Sequence, residues 1–271
     1  AGPCHLEGLG SVRGVCVAKA SLLAHLPAHG QALVNQDYPE LFQAASAVKP
    51  LPTPFSALDA SAPISCLYQG LGPDGRGRYL LRLSGREIML NTAFSGRAMA
   101  ENLAAAAGAA FLLGLPLEAI RDGIAASAPI DGRFHIRGQG RRTLIDDSYN
   151  ANPLSMRLAL ERARELAGAR PLVLVLGEML ELGPAREDEH RRLAALASSV
   201  SCAALFFHGS SWSAVQDGYR GPQGTLHQLQ CPSDLVRAMQ SGLVPADAVV
   251  LFKGSRGSRM DRFLQAMGGQ A

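Results

Sequence analysis

From Thr143 onward, short continuous apolar runs alternate with helical segments, and no other feature limits the fold of this chain so strongly. The runs predict strands at 143–149, 171–177, 202–209, 225–230 and 247–254. Each is apolar at successive positions rather than at alternate ones, as a strand is when both of its faces are covered. Helical spacing of apolar residues predicts helices at 153–166, 185–199, 232–240 and 258–267. Strands separated by helices join in parallel, so this part reads as an α/β doubly wound sheet. Asn152 before Pro153 has the chemistry of a helix start, and Ser233 with Asp234 is expected to open the 232–240 helix in the same way.

The preceding part differs. It predicts a helix at 12–26, a strand at 31–37, and β segments at 64–70, 78–85 and 87–94. Two helices at 97–113 and 116–126 follow, the first rich in alanine, a strong helix former. The turn-forming stretch 129–132 marks a boundary between the two parts.

Length and composition narrow the function classes. A chain of 271 residues suits one or two domains. Its 26 basic and 23 acidic residues give a net charge of +3 with no basic run, which argues against nucleic acid as a partner. The five cysteines, Cys4, Cys16, Cys66, Cys202 and Cys231, form no CxxC pair and read as reduced thiols. No stretch has the length and apolarity of a membrane span or the pattern of a signal peptide, so a cytoplasmic protein is expected.

Gly70, Gly72 and Gly75 spell GxGxxG, but a strand follows rather than a helix, so the segment reads as a hairpin turn. The P-loop pattern GxxxxGK[ST] is absent, as is HExxH. Four polar loops are predicted at the C-terminal ends of the strands, where open parallel sheets bind ligands. They are DDSYNANP, GEMLELG, FHGSS and KGSRGSR. Consecutive Asp146 and Asp147 suit a ribose hydroxyl or a metal-bound water, although Asp147 and Asn152 also suit helix capping. The lysine and arginines of KGSRGSR suit an anion. His190 reads as a solvated helix residue, and Leu103, Ala107 and Ala110 as core.

HLEG, LIDDSYNANP, LGEMLELG and VLFKGSRGSRM together resemble the Mur ligases, over residues 4 to about 267. The resemblance implies that residues 1–130 are the later part of a central ATPase domain, its P-loop lying before Ala1, and that 131–271 are a C-terminal Rossmann-like ligase domain. It implies ATP and Mg2+ as cofactors. The implied reaction is ADP-forming addition of D-alanyl-D-alanine to UDP-N-acetylmuramoyl-tripeptide, performed by a monomer together with the missing N-terminal part; the chain alone is expected to be inactive. A folate-polyglutamating ligase and a stand-alone binding module are the alternatives.

The resemblance also assigns residues. His5 and Lys19 fall where relatives hold a second magnesium, Lys19 as a carbamate, a modification that partial burial of the amine would favour. With Lys253 they are the expected catalytic residues. Asn102, Arg133 and Asp147 fall at adenine, phosphate and ribose contacts, and Tyr149, Asn150, Asn152, Ser255 and Arg256 at the substrate side. Two departures stand out: GRHNxxN has become GRAMAEN at 96–102, and the aspartate of LGDMLELG is Glu178.

Overall fold

A computed structural model describes Gly2, residues 6–49 and residues 51–268, with the side chain of Leu6 excepted. It divides into two units, Ala1–Ala128 and Pro129–Ala271.

The first unit opens with α1 (Leu6–Leu9) and α2 (Val12–Ala20), the latter capped by the Ser11 hydroxyl, which accepts the Gly14 N–H at 3.1 Å. The helix expected to reach residue 26 tightens instead into a 3-10 turn at Ser21–His25. Then come β1 (Leu33–Asn35), α3 (Pro39–Val48), β2 (Thr53–Ser56), β3 (Ile64–Leu71), β4 (Gly77–Leu83), β5 (Arg86–Thr92), α4 (Arg97–Leu112) and α5 (Leu117–Ala126). The sheet runs β1-β2-β3-β4-β5, parallel over its first three strands and antiparallel over its last three. Leu103 and Ala107 of α4 bury against Ile64, Leu81 and Leu90, with Ala110 at the margin, as the alanine-rich stripe required. The GxGxxG segment is a turn between β3 and β4, closed by Gly72 N–H donating to the Arg76 carbonyl at 2.7 Å.

The second unit contains β6 (His135–Gln139), β7 (Arg142–Asp147), α6 (Pro153–Ala167), β8 (Leu172–Gly177), α7 (Arg186–Ser199), β9 (Ala204–His208), α8 (Trp212–Gly218), β10 (Leu226–Gln228), α9 (Pro232–Gln240), β11 (Val249–Lys253) and α10 (Met260–Gly268). Its sheet order is β10-β9-β8-β11-β7-β6. All pairs are parallel except β6 with β7. Every residue of β8 and β11 is buried, because helices cover both faces. Ile145, Leu174 and Leu251 face α6 and α7, whereas Leu144, Val175 and Phe252 face α9 and α10.

Local chemistry sets the helix starts. Asn152 accepts the Ser155 N–H at 2.9 Å, and Ser155 Oγ accepts the Asn152 N–H at 3.0 Å, a reciprocal cap ahead of Pro153. The start of α9 departs from expectation: Cys231 is the capping residue, and Asp234 reaches back to accept the Gln230 and Cys231 N–H groups. Cys16, Cys66 and Cys202 are buried free thiols and Cys231 is exposed. Among the described residues no helix is long and apolar enough to cross a membrane.

Candidate functional site

In-phase pairing of β7, β11 and β8 sets the ends of the three strands side by side. Lys253 lies opposite Asp147 on one side and Leu176 on the other. The loops that follow therefore start at one level on one edge of the sheet.

Charge then fixes them together. Lys253 is 3% exposed, and its ammonium donates to Asp147 Oδ2 at 2.7 Å and to the Asn150 carbonyl at 3.0 Å. The other oxygen of Asp147 accepts the Phe134 N–H at 3.1 Å. Asp147 thus joins Lys253 rather than capping α6. Ser255 ties three loops at once: its N–H donates to the Glu178 carbonyl, its hydroxyl accepts the Leu180 N–H at 2.9 Å, and the same hydroxyl donates to the Ala151 carbonyl at 3.3 Å. The approach leaves no space for a side chain at Gly254, where a Cβ would come within 2.3 Å of Ser258 Oγ and 2.9 Å of Gly177 Cα.

Glu178 begins a second network. Its Oε1 accepts hydrogen bonds from the Arg186 guanidinium, from Ser210 Oγ at 2.9 Å, and from both the N–H and the hydroxyl of Ser211. Burial pushes the carboxyl upward, but the donors from Arg186, Ser210 and Ser211 outweigh it and hold the group below its ordinary range. His190 belongs to the same region and corrects the solvated-helix expectation: it is fully buried. Its Nδ1–H donates to the Arg186 carbonyl at 2.7 Å, and its Nε2 accepts the Met179 N–H at 3.0 Å. Burial depresses its pKa, so the ring is neutral at pH 7. Helical spacing on an otherwise polar stretch gave no sign of this, because the partner amide belongs to a loop that folds back over α7.

At the outer side, Tyr149 is exposed and carries the Arg133 guanidinium 3.9 Å from its ring centre and that of Arg256 at 5.7 Å, both within cation–π range. Asn150 is exposed and its side chain accepts the Ala151 N–H at 2.9 Å. The second unit therefore gathers Asp147, Tyr149, Asn150, Asn152, Lys253, Ser255 and Arg256 on one edge, with Arg133 against Tyr149.

The remaining expected residues lie in the first unit. His5 is outside the described residues. Lys19 is exposed on α2, so the described residues do not supply the partial burial that carbamylation calls for. Asn102 is exposed on α4, with its amide 3.7 Å from the Met99 sulfur. Its neighbour Glu101, in the altered GRAMAEN segment, accepts the Tyr38 hydroxyl at 2.9 Å and the Asn35 amide at 3.3 Å. Among the described residues no three His, Cys, Asp or Glu side chains gather as a metal site requires.

A mainly parallel open sheet whose charged and polar loops gather at its carboxyl edge has the architecture in which such sheets bind ligands. The comparisons specify it. Residues 1–110 match the Mur ligase middle domain and residues 132–256 the Mur ligase glutamate ligase domain, so the chain belongs to the Mur ligase family. It is 28% identical over 266 residues to the UDP-N-acetylmuramoyl-tripeptide--D-alanyl-D-alanine ligase of Escherichia coli strain K12, covering 97% of this chain and 57% of that protein. The chain thus spans little more than half the length of that relative. Among solved structures, MurF from Acinetobacter baumannii superimposes with a TM-score of 0.85 at 26% identity, over 99% of this chain and 58% of that one. The MurF ligase of Thermotoga maritima in complex with ADP shares the fold at a TM-score of 0.85 and 19% identity, over 99% of this chain and 60% of that one.

Proposed function

We propose that this chain works as the later part of an ATP-dependent, ADP-forming ligase that adds D-alanyl-D-alanine to UDP-N-acetylmuramoyl-tripeptide during cytoplasmic synthesis of peptidoglycan precursors. The observation that carries the reading is the fastening of the DDSYNANP, LGEMLELG and KGSRGSR loops to one another by Lys253 and Ser255. The relatives' names support the choice of substrates. In this reading residues 1–130 are part of the ATP-binding domain and 131–271 the ligase domain, acting as a monomer with an N-terminal part of the same enzyme.

The chemistry follows from the substrates. A carboxylate is a poor acylating agent, so the tripeptide carboxylate first attacks the γ-phosphate of ATP and releases ADP. The dipeptide amine then attacks the acyl phosphate, and phosphate leaves from the tetrahedral intermediate. Arg133 offers a cation to the nucleotide phosphates, Asn102 faces adenine, and Asp147 accepts from ribose hydroxyls with the lone pairs that Lys253 and Phe134 leave open. Tyr149, Asn150, Asn152 and Arg256 border the incoming amine, and Lys253 and Ser255 hold the loops in place. Magnesium would offset phosphate charge. The described residues form no ligand set for it, so a metal role for Lys19 and His5 depends on groups beyond them.

The test is ligation by the polypeptide of the complete reading frame, given ATP, UDP-N-acetylmuramoyl-tripeptide and D-alanyl-D-alanine, with the pentapeptide product and ADP measured by mass spectrometry. Product formed with glutamate on a folate instead, and none with the dipeptide, would sink the assignment.

A further inference from the structure

We propose that His190 is a positioning residue for ligation: its Nε2 aims the Glu178–Met179 peptide group at Ser255 and so sets the place of the loops that border the substrates. The inference rests on the ligase reading above and adds a residue that is itself fully buried, out of reach of any substrate.

A peptide group is rigid and planar, and in the trans form its N–H and C=O point in opposite directions. Other elements grip both ends of the Glu178–Met179 peptide. The Met179 N–H donates at 3.0 Å to His190 Nε2, on α7, and the Glu178 carbonyl accepts the Ser255 N–H at 2.9 Å, from the loop after β11. One residue on, the Leu180 N–H donates to Ser255 Oγ, which in turn donates to the Ala151 carbonyl. The orientation of that one peptide therefore carries the fastening of the KGSRGSR loop and, through it, of DDSYNANP. Glu181, just beyond, has a left-handed backbone with φ 62, which persists only where the surroundings fix it.

The ring's partners define its state. Nδ1 faces an acceptor, the Arg186 carbonyl at 2.7 Å, and so carries the proton; Nε2 faces a donor and so keeps its lone pair. A second proton would set N–H against N–H and release the peptide. The charged groups around the ring are Arg186 and Glu187 on α7 and Glu178 on the loop, while β9 presents Phe207 edge-on with ring centres 5.7 Å apart. The two carboxylates favour a second proton, but burial is the larger influence and holds the ring below its ordinary 6.5. Once free of His190, the peptide can turn its carbonyl away from Ser255. A displacement of about 1 Å among positioned groups lowers a rate on the order of 100-fold, so a side chain with no access to substrate controls turnover.

The experiment compares the complete enzyme with its His190→Gln and His190→Leu variants, given saturating ATP, UDP-N-acetylmuramoyl-tripeptide and D-alanyl-D-alanine. The glutamine carbonyl can accept the Met179 N–H without titrating, whereas leucine accepts nothing. His190→Leu should lower kcat about tenfold or more with each KM changed by less than about twofold, and His190→Gln should recover most of that loss. From pH 7 to pH 5.5 the ratio of His190→Gln kcat to wild-type kcat should rise, since ionisation of the substrates is common to both and cancels. Amide hydrogen exchange, corrected for the intrinsic rate at each pH, reads the loop without turnover. Residues 178–182 should lose protection in His190→Leu at pH 7, and on acidification in the wild type but not in His190→Gln. Wild-type kcat in His190→Leu, or a ratio indifferent to pH with protection unchanged, overturns the proposal; if leucine prevents folding, the glutamine ratio decides. No product from the wild-type enzyme sinks the ligase reading, while exchange still decides whether His190 aims the loop.

Discussion

The carboxylates that bind neighbouring elements together in the two units are held in different ways. In the first unit Glu101 is met by the Tyr38 hydroxyl and the Asn35 amide, and Asp37 by the Ser56 hydroxyl and the Ala57 N–H at 2.7 Å, so every donor is neutral. Both acids raise the pKa of Tyr38, although its burial is the larger cause. In the second unit Asp147 and Glu178 are each met by a cation, Lys253 and Arg186. A neutral donor leaves the site's negative charge in place, whereas a cation offsets it, most strongly where it is buried as Lys253 is. The second unit's loops are therefore organised by their own charges, while in the first unit Glu101 of α4 and Asp37 after β1 are held by neutral donors.

That contrast makes the largest predicted effect a break in the second unit. Lys253→Met strands the Asp147 carboxylate without its cation and should destabilise the second unit by about 3–5 kcal/mol. Urea unfolding followed by the fluorescence of Trp212, the only tryptophan and a residue of α8, measures it. A loss under about 1 kcal/mol would mean that the pair does not hold the loops. Ser255→Ala should cost about 1–3 kcal/mol by leaving the buried Ala151 carbonyl, and the Leu180 N–H beside it, without their partner. In ligation by the complete enzyme it should lower kcat more than it raises KM for ATP, since the loop loses position rather than charge.

Acid is a third probe. Both Glu178 and His190 have folded-state pKa values below their ordinary ones. For each, the unfolded chain binds the proton more tightly, so the stabilisation is complete above the unfolded pKa and is lost as pH falls. For His190 the loss begins below about 6.5 and for Glu178 below about 4.5. The Trp212 signal should therefore weaken in its resistance to urea from pH 7 to pH 4, and His190→Phe should flatten the upper part of that decline. A wild-type curve flat over this range would contradict the neutral buried imidazole. The smallest effect belongs to the first unit: Tyr38→Phe removes one neutral donor from Glu101 and should cost about 1 kcal/mol, without shifting the Trp212 transition.

Much of the second unit was legible in the sequence because periodicity reports burial on two faces directly. The five parallel strands fall within a few residues of their expected bounds, and Asn152 caps α6 as its chemistry requires. Five elements were missed: α1, β2 and α3 in the first unit, and α8 and the edge strand β6 in the second. The glycine within HIRGQ and the exposure of its residues erase the apolar signature that identified the other strands. At the site, the loops were legible as words but their fastenings were not. The pairing of Lys253 with Asp147 spans 106 positions, and that of Arg186 with Glu178 depends on a turn with no periodic signal. Such contacts exist only once the sheet has set its register.

The alternation along β7 makes that strand a ruler for the whole second unit. Shortening or lengthening it by one residue would carry Asp146 to the side of Lys253 and Asp147 to the side of α10, exchanging two acids whose neighbours are unalike. Laboratory variants that add residues to the loops around Gly140 or Gly224 should survive, whereas a single inserted residue between Arg142 and Asp147 should abolish function even if the protein remains soluble.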